Sequence, residues 1–175
     1  MKKNNNTDFN IKNIGEEVEL YGWVAKKRNL GGLIFIDLRD RSGIIQLVVR
    51  PETKDYDLAS SLKSESVIHI VGKIVERESK NTKIPTGEIE VIVSSLELIN
   101  MANDLPFEIT DTTTALEDTR LKYRYLDLRR DELKDKLITR SKIMLTVRNF
   151  LSSHGFIEVE TPVLCKSTPE GARDY

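Results

Sequence analysis

Apolar and polar residues alternate through much of the first part of the chain, and this pattern predicts β-strands. In the first such segment, Val18, Leu20 and Val24 lie on one side, while Glu19 and Tyr21 lie on the other. A period of two places successive side chains on opposite faces of a strand, so that one face is buried and the other exposed. Five segments carry the pattern: residues 17–24, 34–39, 44–50, 67–75 and 88–98.

A short helix is predicted between the third and fourth strands. Residues 57–65 place Leu58, Ala59 and Leu62 on one side, as expected for a helix that packs against a core. Three strands, a helix and two further strands form the order of the oligonucleotide-binding (OB) barrel, an all-β fold. We therefore predict an OB barrel over residues 1–102.

The pattern changes after residue 102. Residues 103–118 are rich in Asn, Asp, Pro and Thr and predict a linker. Residues 117–130 predict a helical segment, and residues 131–154 predict a long helix with Asp131 as its N-cap and Gly155 as its C-terminal stop. Residues 156–160 predict a strand that ends before Pro162. Residues 119–175 therefore predict the start of an α+β domain.

Composition restricts the class of protein. Apolar residues make up 39% and charged residues 31% of the 175 positions, and no apolar run is long enough to predict a transmembrane helix. The single cysteine, Cys165, forms neither an internal disulfide nor a multi-cysteine zinc site. The N-terminal lysines precede no apolar segment, so no secretory signal is predicted and we expect a cytoplasmic protein.

Basic residues are clustered in two segments of a chain that is nearly neutral as a whole. The chain has 27 basic and 28 acidic residues, a net charge of −1, so nucleic-acid binding requires a local basic patch. Residues 120–148 carry ten basic and four acidic residues, and a smaller basic cluster occupies residues 26–28. Each cluster is either a solvated face or part of a binding surface.

The second hairpin predicts a surface suited to single-stranded nucleic acid. A two- or four-residue loop around Arg41 and Ser42 pairs residue 39 with 44, 37 with 46 and 35 with 48, and opposed residues share a face. Phe35 and Gln46 then lie on the polar face. An exposed ring stacks on a base with roughly 1–3 kcal/mol, and an amide donates and accepts at a base edge. The opposite face is the predicted core, formed by Ile34, Ile36, Leu38, Ile45, Leu47 and Val49.

Alternatives to this surface remain open. A loop or another strand could cover Phe35, and a three-residue loop would change the register and separate Phe35 from Gln46. Other chemically active residues have structural interpretations: Trp23 as a core residue, His69 as a strand residue, His154 as a helix-end residue and Cys165 as a loop thiol. No metal ligand and no catalytic residue is predicted.

Several stretches resemble the class IIb aminoacyl-tRNA synthetases. Residues 22–24 and 28–40 resemble their N-terminal OB domain, and residues 124–130 resemble the start of their catalytic domain. Residues 150–151 and 155–162 resemble class II motif 1, a long helix followed by a strand that ends in proline. Residues 167–175, Ser-Thr-Pro-Glu-Gly-Ala-Arg-Asp-Tyr, resemble the bacterial-type aspartyl enzymes. The lysine and asparagine enzymes differ at that stretch.

The resemblance implies a role for each candidate residue of the barrel. Phe35 would stack on an anticodon base and Gln46 would hydrogen-bond there. Arg28, and less directly Lys26, would contact the anticodon loop of tRNA(Asp). Leu30 occupies a position linked in this family to anticodon discrimination, and leucine favours restriction to the aspartate tRNA.

The resemblance also implies roles for the second domain. The motif 1 helix, with Met144 and Leu151, and Pro162 would form a homodimer interface. Glu170 would accept a hydrogen bond from the ammonium group of L-aspartate. The family activates L-aspartate with ATP and Mg²⁺ and transfers it to tRNA(Asp), but its arginine-bearing motifs 2 and 3 follow motif 1 and are not among these 175 residues. We therefore expect a truncated catalytic domain, with no cofactor bound and no aminoacylation by this chain alone.

Two other functions compete with an aspartate–tRNA ligase. A stand-alone OB module that binds RNA without catalysis has no use for residues 167–175 or for a motif 1 helix. A structural dimerisation domain built on residues 131–154 leaves the surface at Phe35 and Gln46 without explanation. The ligase interpretation accounts for all of these features.

Overall fold

The structure, a computed structural model, describes residues 5–163. The chain divides into two compact units, Met1–Leu105 and Pro106–Tyr175. Each unit has its own secondary structure, and each is described by itself below.

The first unit is a closed five-stranded barrel. Its strands follow the order β1-β2-β3-β5-β4 around the barrel, and every neighbouring pair is antiparallel except β3 and β5, which are parallel. The helix α1 lies between β3 and β4 in the chain. This topology confirms the predicted OB barrel. The elements are β1 (Glu17–Leu30), β2 (Leu33–Arg39), β3 (Ile44–Val49), α1 (Tyr56–Ser61), β4 (Val67–Glu76) and β5 (Ile89–Asn100).

The barrel encloses one hydrophobic core. Ile34, Ile36 and Leu38 of β2 are fully buried, as are Ile45 and Leu47 of β3, so the predicted core face of the hairpin is confirmed. Burying one such side chain contributes roughly 1.5–3 kcal/mol relative to its exposure. Alternate residues of β1, β4 and β5 complete the core, including Leu20, Val24, Ile68, Ile70, Ile74, Ile89 and Val91.

A β-bulge divides β1 into two halves. The first half pairs with β4 and the second with β2, and the register shifts between Val24 and Lys26. Val24 lies opposite Leu38, but Lys26 lies opposite Asp37, so Ala25 is the extra residue. A bulge bends a strand and reverses the phase of its alternation. Residues 26–30 therefore continue the strand that the alternation predicted to end at residue 24.

Helix α1 is shorter than predicted. It ends at Ser61 because Leu62 adopts an extended conformation, with φ −58° and ψ 138°. Ala59 and Leu62 are buried in the core as expected. The sequence pattern therefore identified the packed side of this segment but placed its end too late.

The second unit contains three helices among its described residues: α2 (Glu117–Lys122), α3 (Arg124–Asp127) and α4 (Asp131–Ser153). The single segment predicted over residues 117–130 is wrong, because Tyr123 leaves helical geometry at ψ 46°. The predicted N-cap is also wrong. Arg130 occupies that position in an extended conformation, and Asp131 is the first helical residue.

Buried charge explains the backbone at the start of α4. Asp127 is fully buried, and its carboxylate accepts hydrogen bonds from Arg124 at 2.5 Å and from Arg130 at 3.0 Å. A buried carboxylate needs such partners. The buried Arg130 is therefore held beside Asp127, and the helix begins at the next residue.

The segment after α4 also differs from its prediction. Gly155, at φ 83°, ends the helix as predicted, since glycine tolerates this left-handed conformation. Residues 156–160 form no strand, because all strands within the described range belong to the barrel. A strand requires a partner for its backbone hydrogen bonds. Here a side-chain pair, Arg148–Glu158 at 2.9 Å, joins this segment to α4.

Close approach of β1 and β2 requires glycine at position 22. A Cβ atom at Gly22 would lie 2.6 Å from the carbonyl oxygen of Arg39 and 2.9 Å from Cγ of Leu38. The oxygen belongs to the strand backbone, so relief of the clash requires a shift of β2. Gly22 therefore sets the distance between the two strands at the bulge.

Gly22→Ala is expected to lower the free energy of unfolding by about 1–3 kcal/mol, the usual cost of overpacking a close-packed site. Urea unfolding followed by the fluorescence of Trp23, the single tryptophan, measures this change within the barrel. Tyr21→Phe, an exposed neighbour on the same strand, is the control and should change stability by less than about 0.5 kcal/mol. Equal midpoints for wild type and Gly22→Ala would contradict the expectation.

Candidate nucleic-acid interface

The outer face of β1, β2 and β3 gathers the residues that the sequence selected. The hairpin register is as predicted for a four-residue loop: Phe35 lies opposite Val48, and Asp37 lies opposite Gln46. The bulge at Ala25 adds β1 to this face, because Arg28 lies opposite Phe35 and Lys26 opposite Asp37. Unbroken alternation from Val24 would have turned both cations toward the core.

Phe35 lies at the centre of this face. It is half-buried, flanked by Arg28 on β1 and Val48 on β3. Phe35 is therefore only partly covered, and the loop or strand considered above does not enclose it completely. An accessible aromatic side chain on strands 2 and 3 of an OB barrel is the feature that base stacking uses.

A chain of polar contacts crosses the face from β2 to β5. Nη2 of Arg28 donates to Oδ1 of Asp37 at 2.9 Å and to Oε1 of Gln46 at 3.2 Å. Nε2 of Gln46 donates to Oε2 of Glu90 at 2.7 Å. Gln46 is only 4% exposed, and a buried amide without partners would be costly. The contacts therefore satisfy a polar group within the barrel wall.

Gln46 differs from its expected environment in one respect. The sequence predicted an amide open to a base, whereas both of its polar atoms already have partners in the barrel. Glu90 was not selected from the sequence. It lies opposite Gln46 across the parallel β3–β5 pair, and alternation within each strand contains no signal for that long-range register.

Of three further side chains of β1, two are exposed and the third lies on the other side of the strand. Lys26 is exposed, and Leu30 is 61% exposed beside the two-residue turn at Gly31 and Gly32. Lys27 lies opposite Ile36 instead, and its Nζ donates to the carbonyl oxygen of Ser60 in α1. Partial burial lowers the pKa of the Lys27 ammonium below its ordinary value, because desolvation disfavours the charged form.

Both histidines have structural environments. His69 stacks on Tyr21 with ring centroids 4.3 Å apart, and its Nε2 lies 3.0 Å from Oε1 of Glu19. The Tyr21 hydroxyl donates to the same Glu19 carboxylate at 2.9 Å. That hydrogen bond raises the pKa of the Tyr21 phenol. His154 packs on Phe150 at the end of α4, with ring centroids 4.3 Å apart.

The second unit places its predicted interface residues on the surface. Met144 is 46% and Leu151 41% exposed, and Pro162 is exposed. No residue of α4 is buried. Glu170, the predicted aspartate ligand, and Cys165 lie outside the described residues.

No cluster within residues 5–163 is arranged to hold a metal ion. Within this range, no three side chains of His, Cys, Asp or Glu lie close enough together to bind one metal ion. The same range includes no helix that is both long and apolar enough to span a membrane.

Family models match both units. Residues 18–99 match a model described as an OB-fold nucleic acid binding domain. Residues 116–175 match a model described as class II tRNA synthetases of the D, K and N type. The first match covers the barrel, and the second includes α4.

Aspartate–tRNA ligases are among the relatives of this chain in sequence. The chain is 54% identical over 165 residues to the aspartate–tRNA ligase of Streptococcus suis. That alignment covers 93% of the chain but 28% of the relative. The chain thus spans less than a third of the length of the curated relatives that it matches.

Solved structures show the same fold. An asparaginyl-tRNA synthetase from Pyrococcus horikoshii, complexed with asparaginyl-adenylate, has a TM-score of 0.84 at 27% identity, and the match covers 98% of this chain and 39% of that one. An aspartyl-tRNA synthetase from Entamoeba histolytica has a TM-score of 0.85 at 22% identity, and the match covers 97% of this chain and 41% of that one. The second likeness concerns the fold alone.

The environment of Lys27 predicts a lowered pKa for its side chain. After reductive methylation with ¹³C, the dimethylated side chain of Lys27 is expected to titrate at a lower pH in the folded protein than in the urea-unfolded chain, because folding partly desolvates it. NMR titration of its methyl signal, assigned with Lys27→Arg, measures both states. Coincident titration curves would contradict the burial of Lys27 against α1.

Proposed function

Because the chain belongs to the aspartyl-tRNA synthetase family, we propose that it supplies the anticodon-binding and motif 1 parts of an aspartate–tRNA ligase. The complete enzyme would activate L-aspartate with ATP and transfer it to tRNA(Asp) in the cytoplasm. The observation that carries this proposal is the outer face of the barrel, where Phe35, Arg28 and Gln46 lie together on neighbouring strands.

The face offers the contacts that an unpaired anticodon loop needs. The accessible part of Phe35 would stack on one base, since stacking requires only a planar surface and tolerates any base. Lys26, which is exposed, would contact phosphate. Arg28 would reach either a phosphate or a base, because its guanidinium already lies between Asp37 and Gln46. Stacking would supply affinity, and the polar groups would supply selection among bases.

The second unit would form the homodimer interface. Large apolar residues of α4 are exposed, among them Leu145, Val147 and Phe150 as well as Met144 and Leu151. An exposed apolar surface of this kind is typical of a face that another protein surface covers. The partner proposed for this surface is a second copy of the same chain, as the resemblance of this segment to class II motif 1 implies.

In the complete enzyme, residues 5–163 would recognise the tRNA. The positioned cations that activation of L-aspartate by ATP requires would come from other parts of the enzyme.

A stand-alone RNA-binding module is the competing function. The barrel would suffice for such a module, because its core closes within the first unit. The match of residues 116–175 to class II synthetases favours the ligase, since an RNA-binding module has no need of those residues.

Phe35→Ala is expected to weaken binding of an aspartate-tRNA anticodon stem-loop by about 1–3 kcal/mol, the usual contribution of one stacked base. Fluorescence anisotropy of labelled RNA measures the dissociation constant. Tyr21→Ala is the matched control, because Tyr21 is an exposed aromatic residue on the part of β1 that pairs with β4. Unchanged affinity of a folded Phe35→Ala variant would exclude the anticodon role of this face.

The purified 175-residue chain is expected to support no aspartate-dependent ATP–pyrophosphate exchange. Activation needs positioned cations that stabilise the reacting phosphates, and the family supplies them from motifs 2 and 3. A complete enzyme of the same family serves as the positive control. Exchange above the background measured without L-aspartate would show that this chain activates the amino acid by itself.

A further inference from the structure

Ser66 contacts two parts of the barrel at once. Its carbonyl oxygen accepts from the backbone N–H of Val24 in β1 at 2.9 Å. Its hydroxyl oxygen accepts from the backbone N–H of Ala102 at 3.2 Å, and the hydroxyl donates to Sδ of Met101 at 3.3 Å. Ser66 is fully buried, so water does not compete for these bonds. One residue therefore holds both β1 and the chain that follows β5.

The contact with β1 lies beside the β-bulge. Val24 stands two positions before Lys26, the first residue that the bulge turns to the outer face. The residue before Ser66 holds the same point, since the backbone N–H of Glu65 donates to the carbonyl oxygen of Val24 at 2.7 Å. A displacement of the bulge therefore acts directly on the turn formed by residues 63–66, which is closed by a backbone bond of 3.1 Å between its ends.

The same turn holds one residue in a strained backbone conformation. Glu65 has a φ of 68° and is the one non-glycine residue at positive φ within residues 5–163. Its carboxylate is only 7% exposed and pairs with Nη2 of Arg39 at 2.8 Å. Arg39 lies on the same outer side of β2 as Phe35. Strained residues of this kind are concentrated at sites that bind ligands or switch between conformations, so this turn is suited to respond to binding on the neighbouring face.

The second contact of Ser66 fixes the segment that leaves the barrel. Strand β5 ends at Asn100, and the exit segment, residues 101–104, follows it within the first unit. An ion pair of 2.8 Å between Lys63 and Asp104 also joins this segment to the turn. That pair is exposed and contributes little to stability, whereas Ser66 is buried. Ser66 therefore anchors the exit segment to the turn that holds the bulge.

We propose that Ser66 couples the outer face of β1 to the exit segment, so that RNA bound beside the bulge tightens the hold on that segment. The proposal rests on the proposed function, since it requires RNA at Lys26 and Arg28. RNA that fixes the bulge keeps the N–H of Val24 against Ser66, and a fixed Ser66 keeps its hydroxyl in place for Ala102. Coupling of this kind is reciprocal. Loss of the Ala102 bond should therefore weaken RNA binding.

Hydrogen exchange tests the effect of RNA on the exit segment. The backbone N–H of Ala102 is followed by NMR in the 175-residue chain, with and without a saturating aspartate-tRNA anticodon stem-loop. RNA is expected to slow this exchange by roughly 2- to 30-fold, and the slowing should disappear in Ser66→Ala. The backbone N–H of Lys12 is the internal control, because a side-chain oxygen of Asn10 holds it at 3.0 Å, and its rate should not change.

Two variants test the reverse effect by breaking the bond between Ser66 and Ala102 from opposite sides. Ser66→Ala removes the hydroxyl and Ala102→Pro removes the N–H, while the carbonyl that accepts from Val24 remains in both. Each should weaken RNA binding, measured by fluorescence anisotropy, by a factor similar to that found in exchange. The double variant should bind no more weakly than either single variant, because one bond is lost in all three. Ser61→Ala is the matched control, since the Ser61 hydroxyl donates to the carbonyl oxygen of Leu58 within α1.

Several results would overturn the proposal. Unchanged exchange of Ala102 when RNA binds, or slowing that persists in Ser66→Ala, would show that RNA does not act through Ser66. Wild-type affinity in both single variants, or additive losses in the double variant, would lead to the same conclusion. If Ser66→Ala does not fold, as judged by Trp23 fluorescence, wild-type affinity in Ala102→Pro alone would overturn the proposal. Failure of wild type to bind the stem-loop would instead contradict the proposed function, and the coupling with it.

Discussion

The β-bulge at Ala25 determines which side chains of β1 reach solvent, and the binding face depends on it. Before the bulge, Val24 faces the core opposite Leu38. After it, Lys26 and Arg28 face outward, opposite Asp37 and Phe35. Without the extra residue, the same alternation would direct two cations into an apolar barrel, where burial of unpaired charge is prohibitive. One residue thus allows a single strand both to close the barrel and to carry a polar surface.

The binding face combines side chains that are buried in the barrel wall with side chains that are exposed to solvent. Gln46 is almost fully buried, yet its amide is satisfied by Arg28 and Glu90. A buried polar group contributes to a unique structure only when its partners are all present. The same partners that make Gln46 tolerable in the barrel also restrict its orientation. The contacts that satisfy Gln46 in the wall therefore also hold its side chain on the outer face.

The two units differ in how many of their apolar residues are buried among the described residues. The barrel closes around a core within the first unit. The second unit buries Leu126 and the Asp127–Arg130 pair, while α4 leaves its apolar residues exposed. Hydrophobic residues at helical spacing indicate that a face will be covered but not by which surface. The exposed apolar residues of α4 are consistent with its proposed role in a dimer.

Local patterns in the sequence were sufficient for the strands, the core face and the hairpin register, because a four-residue loop and strict alternation relate residues that are close in the chain. They also identified Phe35 and Gln46 as neighbours on a face. Tertiary structure alone decided the bulge at Ala25, the contact between Gln46 and Glu90, and the break at Tyr123. The bulge and the Gln46–Glu90 contact depend on residues distant in sequence. Alternation within one strand carries no information about which strand closes the barrel. The sequence therefore predicted the face, whereas the tertiary structure determined which hydrogen bonds its polar side chains form.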